Sequence, residues 1–454
     1  MKRRDLVIIG SGPGGYVAGL YGAGNNLNVC VIEKDSLGGT CLNRGCIPTK
    51  VMLNSASLLS RIRESSVHGI VVDNITVNFQ KINERKEEVV SRLRAGIETL
   101  FRAKKIELIK GTAVIKDRNT VVVDGARLES THVIIATGSR PSGLSGIEFD
   151  NTDIFSSDGI LNINKLPKTL LIIGGGVIGC EFATIFNTLG TKVTIVELLD
   201  RLLVTQSREA SKKMEIILKK RGVEVITSAK VERIDKKGAL NIKISNGRVL
   251  NAEKVLVAVG RTPNVSGLGL EDIGIKIEKG YIAVDGYLRT AIDNIYAIGD
   301  CITGGPLLAH KASYDGILAC DNILGRERLA DYSSVPNCVY TEPEIASVGL
   351  NEEEARAKYA DVKIARFPYL GSGKAFLIGR TEGFIKIVGN SKGEILGIEI
   401  MGEEACDLVG EATLAKASGI NIKDLSHVVH GHPTLSEIFQ EAAHIFSGTA
   451  IHSI

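Results

Sequence analysis

The sequence predicts an α/β protein in which two similar Rossmann-like units precede a mixed α+β domain. A strand, a glycine-rich turn, a helix and a second strand occur at the start of the 454-residue chain and recur in that order near residue 170. Glycine supplies 50 residues without a short period, which indicates many tight turns in a folded chain. From about residue 335 the pattern changes to short strand-like and helix-like runs without such a turn.

The first unit contains a glycine-rich turn in the context that a dinucleotide requires. Residues 5–9 read as a buried strand, Gly10–Gly15 as the turn, and a helix is expected from Tyr16. A second strand then ends on Glu33. In such a unit the first glycine allows the turn, the second lets a pyrophosphate approach, and the third lets helix and strand pack. The helix N-terminus attracts phosphates, and the final carboxylate accepts hydrogen bonds from a ribose.

The second unit repeats this pattern with the same spacing. The turn Gly174–Gly179 follows a predicted strand, and a later strand ends on Glu197. Gly174 precedes Glu197 by 23 residues, the same separation that Gly10 has from Glu33. A carboxylate at Glu197 would repel a 2′-phosphate, so the second site is predicted to prefer NAD to NADP. The nearest arginine is Arg201.

Three further strand-like segments end in a glycine: residues 132–138, 254–260 and 295–299. The third ends next to Asp300, which could bind hydroxyl groups of a ligand. The first unit is 42 residues longer than the second, measured from first to last glycine, and the additional residues follow Glu33.

Those additional residues contain Cys41 and Cys46, separated by four residues. The two cysteines can form a disulfide if they lie on one face at the start of a single helix, where the helix N-terminus would lower the thiol pKa and favour the thiolate. Zinc would need further ligands that do not follow nearby. A structural disulfide does not suit a chain without an export signal. A redox-active pair is therefore predicted, whereas the six other cysteines are predicted to be small buried apolar residues: Cys30, Cys180, Cys301, Cys320, Cys338 and Cys406.

Five of the eight histidines lie in the last 28 residues. His432 is followed by Pro433 and, five positions on, by Glu437, and a carboxylate that holds one imidazole nitrogen suits the other for acid–base work on a thiol. His430 and His432 could instead form a metal pair. His427, His444 and His452 are expected to be ordinary surface or interface residues.

Charge and hydropathy exclude several classes of protein. Lys plus Arg is 55 and Asp plus Glu is 52, too balanced for a nucleic-acid-binding protein. No apolar run approaches the ~18 residues of a membrane span. The short apolar stretch after the basic N-terminus is interrupted at Gly10, so no targeting signal is predicted and a cytoplasmic location is expected.

Through these motifs the sequence resembles the FAD-dependent pyridine nucleotide–disulfide oxidoreductases along almost its whole length. Within that family it is most similar to members that oxidise protein-bound dihydrolipoamide. The most specific segments are Gly39–Lys50, Gly174–Glu181, Gly260–Asn264, Ile298–Asp300, Leu308–Lys311, Val339–Glu344 and His432–Glu437.

The resemblance implies an FAD-binding domain with a redox disulfide at 1–145, an NAD-binding domain at 146–271, a segment at 272–334 that completes the FAD site, and a dimer interface domain at 335–454. It implies that the chain is a homodimer that serves a lipoyl-bearing protein of a 2-oxo acid dehydrogenase or glycine cleavage complex. The catalytic residues it implies are Cys41, Cys46, His432, Glu437, Lys50 and Glu181. The cofactor-binding residues, for FAD and NAD, are Gly10, Gly12, Gly14, Gly15, Glu33, Lys34, Gly39, Thr40, Lys50, Ala113, Thr137, Gly138, Ser139, Gly174, Gly176, Val177, Ile178, Gly179, Glu181, Glu197, Val231, Gly260, Arg261, Gly299, Asp300, Leu307, Leu308, Ala309 and His310.

The family resemblance also implies a division of labour between residues and subunits. Lys50 and Glu181 should pair beside the flavin, and His432 of one subunit should serve the disulfide of the other. Two alternatives stay open. A reductase of a low-molecular-weight disulfide would be expected to use NADPH, against which Glu197 argues. A scaffold that docks on an acyltransferase core is a role of another class, and it could coexist with catalysis.

Overall fold

The computed structural model describes residues 3–237 and 239–452. The strands are β1 (Arg4–Ile9), β2 (Val29–Glu33), β3 (Glu107–Lys110), β4 (Ala113–Asp117), β5 (Thr120–Val123), β6 (Ala126–Ile135), β7 (Ser139–Pro141), β8 (Ile154–Ser156), β9 (Thr169–Ile173), β10 (Lys192–Val196), β11 (Glu224–Ile226), β12 (Val231–Lys237), β13 (Ala239–Ile244), β14 (Val249–Ala252), β15 (Lys254–Val257), β16 (Arg261–Pro263), β17 (Ile277–Glu278), β18 (Tyr281–Ile282), β19 (Ile295–Ala297), β20 (Asn337–Val339), β21 (Glu344–Gly349), β22 (Val362–Pro368), β23 (Phe384–Asn390) and β24 (Ile395–Gly402). The helices are α1 (Pro13–Gly24), α2 (Gly39–Arg44), α3 (Cys46–Arg63), α4 (Phe79–Ala103), α5 (Val177–Leu189), α6 (Arg208–Lys220), α7 (Ala309–Ile323), α8 (Glu352–Lys358), α9 (Gly373–Leu377), α10 (Ala405–Ala417), α11 (Ile422–Leu425) and α12 (Glu437–Phe446). None of the helices in the described ranges is long and apolar enough to cross a bilayer.

The first unit is built around a seven-stranded sheet of order β3-β2-β1-β6-β5-β4, to which β19 adds by pairing with β6. β1 lies parallel to both β2 and β6, which places Ile8 beside Val31 and Ile134. All three side chains are fully buried, as expected for the apolar runs of central parallel strands. Helix α1 packs against α7, so the later segment joins the same unit.

The second unit is a five-stranded parallel sheet of order β11-β10-β9-β15-β8. Its β9–α5–β10 segment corresponds to β1–α1–β2 of the first unit, so the predicted internal repeat is present. The additional residues of the first unit form α2, α3 and α4, and α3 packs against α5 of the second unit. This contact brings the cysteine segment up to the second sheet.

The remaining chain forms an antiparallel sheet of order β20-β21-β24-β23-β22, here called the third sheet, on which α10 and α12 pack. The predicted α/β fold with a mixed third part is confirmed. In this part α10 begins at Ala405 and α12 at Glu437. The domain boundaries given above stay predictions.

Candidate active site

A continuous cleft of about 1640 Å³ runs from the turn after β1, past the cysteine segment, to the turn after β9. Ligands of open α/β sheets bind at such carboxyl ends of strands. Every residue predicted to bind a cofactor lines this cleft except Gly15 and Gly179.

The glycines of the first turn have different physical tasks. Gly10 has a φ of +102°, and a Cβ there would lie 2.4 Å from the Ala136 carbonyl oxygen. A Cβ on Gly15 would lie 1.9 Å from the Gly10 oxygen, whereas one on Gly12 would meet nothing within 4 Å. Gly10 and Gly15 therefore allow the turn and its packing, and Gly12 leaves open space where a pyrophosphate fits.

The second turn reproduces these distances. Gly174 has a φ of +106° and a hypothetical Cβ 2.4 Å from the Ala258 oxygen. A Cβ on Gly179 would lie 2.0 Å from the Gly174 oxygen, and the space at Gly176 is open. Gly15 and Gly179 thus stay out of the cleft because each lies at the contact between its helix and the turn.

The two predicted ribose-binding carboxylates are held in the same way. Glu33 accepts hydrogen bonds from the backbone N–H groups of Ser11, at 2.9 Å, and Asp35, at 2.8 Å. Glu197 accepts from the backbone N–H of Gly175 at 2.5 Å and from that of Leu199 at 2.7 Å. Both carboxylates are therefore oriented at the rim of a phosphate-sized space, which fits an adenosine ribose.

The predicted redox cysteines lie on two helices rather than at the start of one. Cys41 belongs to α2 and Cys46 is the first residue of α3, because Gly45 breaks the helical path between them. The Cys41 thiol donates a hydrogen bond to Cys46, and this bond lowers the pKa of Cys46 to about 7 against the opposing effect of burial. The same contact and burial raise the pKa of Cys41. Cys46 is therefore the better thiolate of the pair.

Lys50, one turn beyond Cys46, forms the predicted pair with Glu181. Its Nζ lies 2.8 Å from Oε2 and 3.0 Å from Oε1 of that carboxylate, which is only 3% exposed. Burial works to lower the pKa of Lys50, but Glu181 and Cys46 outweigh it and raise the pKa above its usual range. A fixed cation thus lies beside the thiol pair.

Tyr340 completes this group, although sequence reasoning assigned it no role. Its backbone N–H donates to Glu181 Oε1 at 3.0 Å, and its ring centroid lies 4.5 Å from Lys50 Nζ. It lies directly after β20 in the third sheet. The family-like segment Val339–Glu344 contains the residue, but no local spacing links position 340 to position 181.

The end of the first unit opposite the ribose carboxylate is a polar network. Asp300 accepts a hydrogen bond from the Ser139 hydroxyl at 2.6 Å, and Arg261 Nε donates to the same hydroxyl at 2.7 Å. Behind them, Lys311 and Asp315 form a buried ion pair of 2.8 Å. Burial raises the pKa of Asp315 despite this lysine.

The buried pair fixes the turn that carries Asp300, and sequence reasoning assigned it no role. Asp315 accepts from the Gly299 N–H at 2.9 Å, and Lys311 donates to the Gly299 carbonyl at 3.2 Å. The signal available in the sequence is a lysine and an aspartate four positions apart on α7, close after Gly299 and Asp300.

His432 and Glu437 form the predicted hydrogen bond, with Nδ1 2.8 Å from Oε1. Glu437 also accepts from the Thr434 N–H at 2.9 Å. Burial works to raise the pKa of Glu437, and these two bonds outweigh it, so the pKa lies below its usual range. The exposed His432 does not line the cleft of its own chain.

The alternative in which His430 and His432 form a metal pair can be compared with the contacts of the two rings. His430 bonds to Glu411, so the two rings of His430 and His432 engage different carboxylates. Among residues 3–237 and 239–452, no group of three or more His, Cys, Asp and Glu side chains is placed to hold a metal ion.

Four of the six other cysteines are buried as predicted: Cys30, Cys180, Cys301 and Cys320. The prediction is wrong for Cys338 and Cys406, which are partly exposed and contact each other because β20 meets the start of α10.

Two matches to family models cover most of the chain. Residues 4–316 match the pyridine nucleotide-disulphide oxidoreductase family, and residues 335–443 match the dimerisation domain of that family. The chain belongs to the pyridine nucleotide-disulphide oxidoreductases. The predicted class of enzyme, an NAD-dependent flavin disulfide oxidoreductase with FAD and NAD as cofactors, is confirmed.

Within the family, several curated relatives that match almost the whole chain are dihydrolipoyl dehydrogenases. The chain is 41% identical to the dihydrolipoyl dehydrogenase of Chlamydia pneumoniae over 99% of its own length and 98% of the relative. It is 42% identical to that of Geobacillus stearothermophilus, over 99% and 97% of the two chains. A solved structure of LpdA from Mycobacterium tuberculosis has a TM-score of 0.91 at 27% identity, covering 97% of this chain and 99% of that one. RclA of Escherichia coli, a flavoprotein disulfide reductase solved as a Cu(II) complex, has a TM-score of 0.88 at 29% identity, covering 98% and 100%.

Proposed function

We propose that the chain oxidises protein-bound dihydrolipoamide to lipoamide and reduces NAD to NADH. One observation carries the proposal: a single cleft joins two dinucleotide cradles and passes a thiol pair with a fixed cation between them. Full-length similarity to dihydrolipoyl dehydrogenases supports the choice of substrate. We propose the cytoplasm as its location, since buried free cysteines suit a reducing compartment.

The first cradle suits FAD, with the pyrophosphate at Gly12, the adenosine ribose at Glu33 and the far end at Asp300. The second suits NAD, with its ribose at Glu197. A bound flavin supplies two-electron transfer between the thiol pair and the nicotinamide, and the chain supplies position and charge. Arg201 donates to the Val204 carbonyl at 3.3 Å, which supports a site without an arginine directed at a 2′-phosphate.

The residues of the thiol pair have separate roles in this proposal. A substrate thiolate attacks Cys41 Sγ of the oxidised pair, and the Cys41–Cys46 bond breaks to leave Cys46 as thiolate. The second substrate thiol then attacks the mixed disulfide, so the cyclic disulfide product leaves and Cys41 is released. Lys50 stabilises the negative charge on Cys46. The lowered pKa of Cys46 supports this order of events.

His432 is proposed to hold the proton of the attacking substrate thiol at Nε2, because Glu437 occupies Nδ1. Its place outside its own cleft and the match to a dimerisation domain support a homodimer in which it serves the partner's thiol pair. A lipoyl-bearing protein of a 2-oxo acid dehydrogenase or glycine cleavage complex is the proposed macromolecular partner.

The test is anaerobic reduction of NAD by dihydrolipoamide, run in parallel with NADP. Fast turnover with NAD and little with NADP is the expected result, since Glu197 repels a 2′-phosphate. A Glu197→Gln variant should narrow the difference between the two nucleotides without removing turnover. A flavin that NADH reduces but dihydrolipoamide does not would contradict the substrate and favour a reductase of another disulfide.

A further inference from the structure

A second pair of cysteines lies at the junction of the third sheet with the first two units. Cys338 is the middle residue of β20, and Cys406 is the second residue of α10. The Cys406 sulfur lies 3.7 Å from the Val339 carbonyl oxygen and 3.9 Å from that of Ile345. Val339, whose carbonyl the Cys406 sulfur approaches, is the neighbour of Cys338, and the two thiols are in hydrogen-bond contact. A disulfide between them would require a sulfur–sulfur distance of about 2.05 Å.

A half-buried carboxyl group completes the cluster. Glu344 accepts the backbone N–H of Cys406 at 2.9 Å, and its carboxylate lies within reach of the Cys406 thiol. Burial raises the pKa of Glu344 to about 6, so the group is a carboxylate at neutral pH and a competent proton acceptor. Cys406 therefore has a sulfur that can attack a neighbouring sulfur, and a nearby base that can accept its proton.

The two thiols differ in charge state and access. The hydrogen bond from Cys406 lowers the pKa of Cys338, against burial, and the Lys50 cation adds to this effect. The same bond, followed by burial, raises the pKa of Cys406. Cys338 lines the cleft together with Lys50 and Tyr340, whereas Cys406 lies behind it. Cys338 is therefore the exposed nucleophile of the pair.

Other cysteines outside the redox pair lack these features. Burial is the main cause that raises the pKa of Cys30 to about 12 and that of Cys320 to about 12. Cys180, which is fully buried, has its pKa raised for the same reason. Apart from Cys41 and Cys46, Cys338 is the only cysteine among the described residues that lines the cleft.

We propose that Cys338 and Cys406 are a second oxidisable dithiol, with Glu344 as its proton acceptor, which hydrogen peroxide converts to an internal disulfide. A hydroperoxide suits this pair because it is small and only one sulfur is reached from the cleft. The inference does not depend on the proposed substrate, since these residues lie outside the roles assigned to the first pair.

The reaction takes place in two steps. The Cys338 thiolate attacks one peroxide oxygen, the O–O bond breaks, and the departing hydroxide takes up a proton as water, which leaves a sulfenic acid on Cys338. Cys406 Sγ then attacks Cys338 Sγ and its proton passes to Glu344. The S–O bond breaks, and the departing hydroxide takes that proton back from Glu344 to leave as a second water. Two thiols and one peroxide thus give one disulfide and two waters.

The test uses the FAD-loaded chain treated with a small excess of hydrogen peroxide. Free thiols are then blocked with N-ethylmaleimide under denaturing conditions, and the digest is analysed by mass spectrometry without reductant. The expected product is a linked Cys338–Cys406 peptide pair, whereas Cys180 and Cys320 carry the label and serve as internal controls. Unchanged labelling of Cys338 and Cys406 after peroxide would overturn the proposal.

Two variants test the assigned roles. In Cys406→Ala the sulfenic acid on Cys338 should persist and be trapped by dimedone. In Glu344→Gln the linked peptide should form at least about tenfold more slowly, because the proton acceptor is lost. Asp407→Asn is the matched control, because Asp407 is an exposed carboxylate in the same turn of α10 as Cys406. This variant should form the Cys338–Cys406 disulfide at the rate of the unaltered chain. Equal rates in all three chains with an intact dithiol would remove Glu344 from the reaction.

Discussion

The Cys41–Cys46 and Cys338–Cys406 pairs lie beside the same cleft and the same lysine, yet they arise differently. Cys41 and Cys46 are close because only Gly45 separates the helices that carry them. Cys338 and Cys406 are 68 residues apart and meet where a strand and a helix of the third sheet pack. Local chain geometry produces the first dithiol, and sheet packing produces the second.

The comparison also shows how neighbouring groups give the two thiols of a pair different pKa values. In each pair one sulfur donates a hydrogen bond, and the acceptor has the lowered pKa, Cys46 in one case and Cys338 in the other. The second pair has its own carboxylate in Glu344. Within the described residues the causes that shift the pKa values of the first pair include no hydrogen bond to a carboxylate, and the proposed base is His432 of the partner subunit.

The largest expected effect distinguishes the pairs by catalysis. Cys46→Ser should reduce dihydrolipoamide-dependent NAD reduction by at least about 1000-fold, because the thiolate that receives charge is lost. The long-wavelength absorbance expected of a thiolate beside the flavin should disappear with it. Steady-state rates and the spectrum of the reduced protein check both results, and survival of that absorbance would mean that the two cysteine roles are reversed.

The next effect concerns the base that the first pair lacks. His432→Gln should slow dihydrolipoamide oxidation by about 100-fold, because the proton of the substrate thiol has no acceptor. Oxidation of NADH by an artificial electron acceptor should stay within about twofold, since no substrate thiol takes part. Equal losses in the two assays would make His432 a structural residue.

A third prediction uses pH to separate the sulfurs of the first pair. The pKa of Cys46 lies at about 7, below its ordinary value, so the thiolate fraction rises as pH increases through that value and is lost as pH falls. Alkylation of the reduced protein by iodoacetamide should therefore accelerate by roughly tenfold between about pH 6 and pH 8. Peptide mapping should place this label on Cys46, and a label mainly on Cys41 would contradict the hydrogen-bond direction.

The smallest expected effect tests whether the second pair is separate from turnover. Cys406→Ala should change dihydrolipoamide-dependent NAD reduction by less than about twofold, because a partly exposed neutral thiol is replaced by a smaller side chain away from the cleft. Denaturant unfolding should show a loss below about 1 kcal/mol for the same reason. A large fall in turnover in a correctly folded variant would mean that both cysteine pairs take part in one electron-transfer path.

Much of the candidate site could be predicted because local geometry produces it. The turn glycines and the ribose carboxylates Glu33 and Glu197 recur with one spacing in both units, and a close approach within each turn dictates the glycines. The Cys41–Cys46 pair follows from adjacency in the chain. The division of this pair between α2 and α3 could not be predicted, because the conformation of Gly45 splits the expected single helix.

The sequence by itself therefore determined the two cradles, the first dithiol and the family of the chain. Tertiary structure alone decided which distant groups meet: Tyr340 on Glu181, and Cys338 with Cys406 and Glu344. The physical reason is that sheet register and helix packing bring these residues together over long separations, and neither has a periodic signal at the positions concerned. Cys338 and Cys406, which were expected to be buried, are instead partly exposed and lie beside the Glu344 carboxylate and the Lys50 cation.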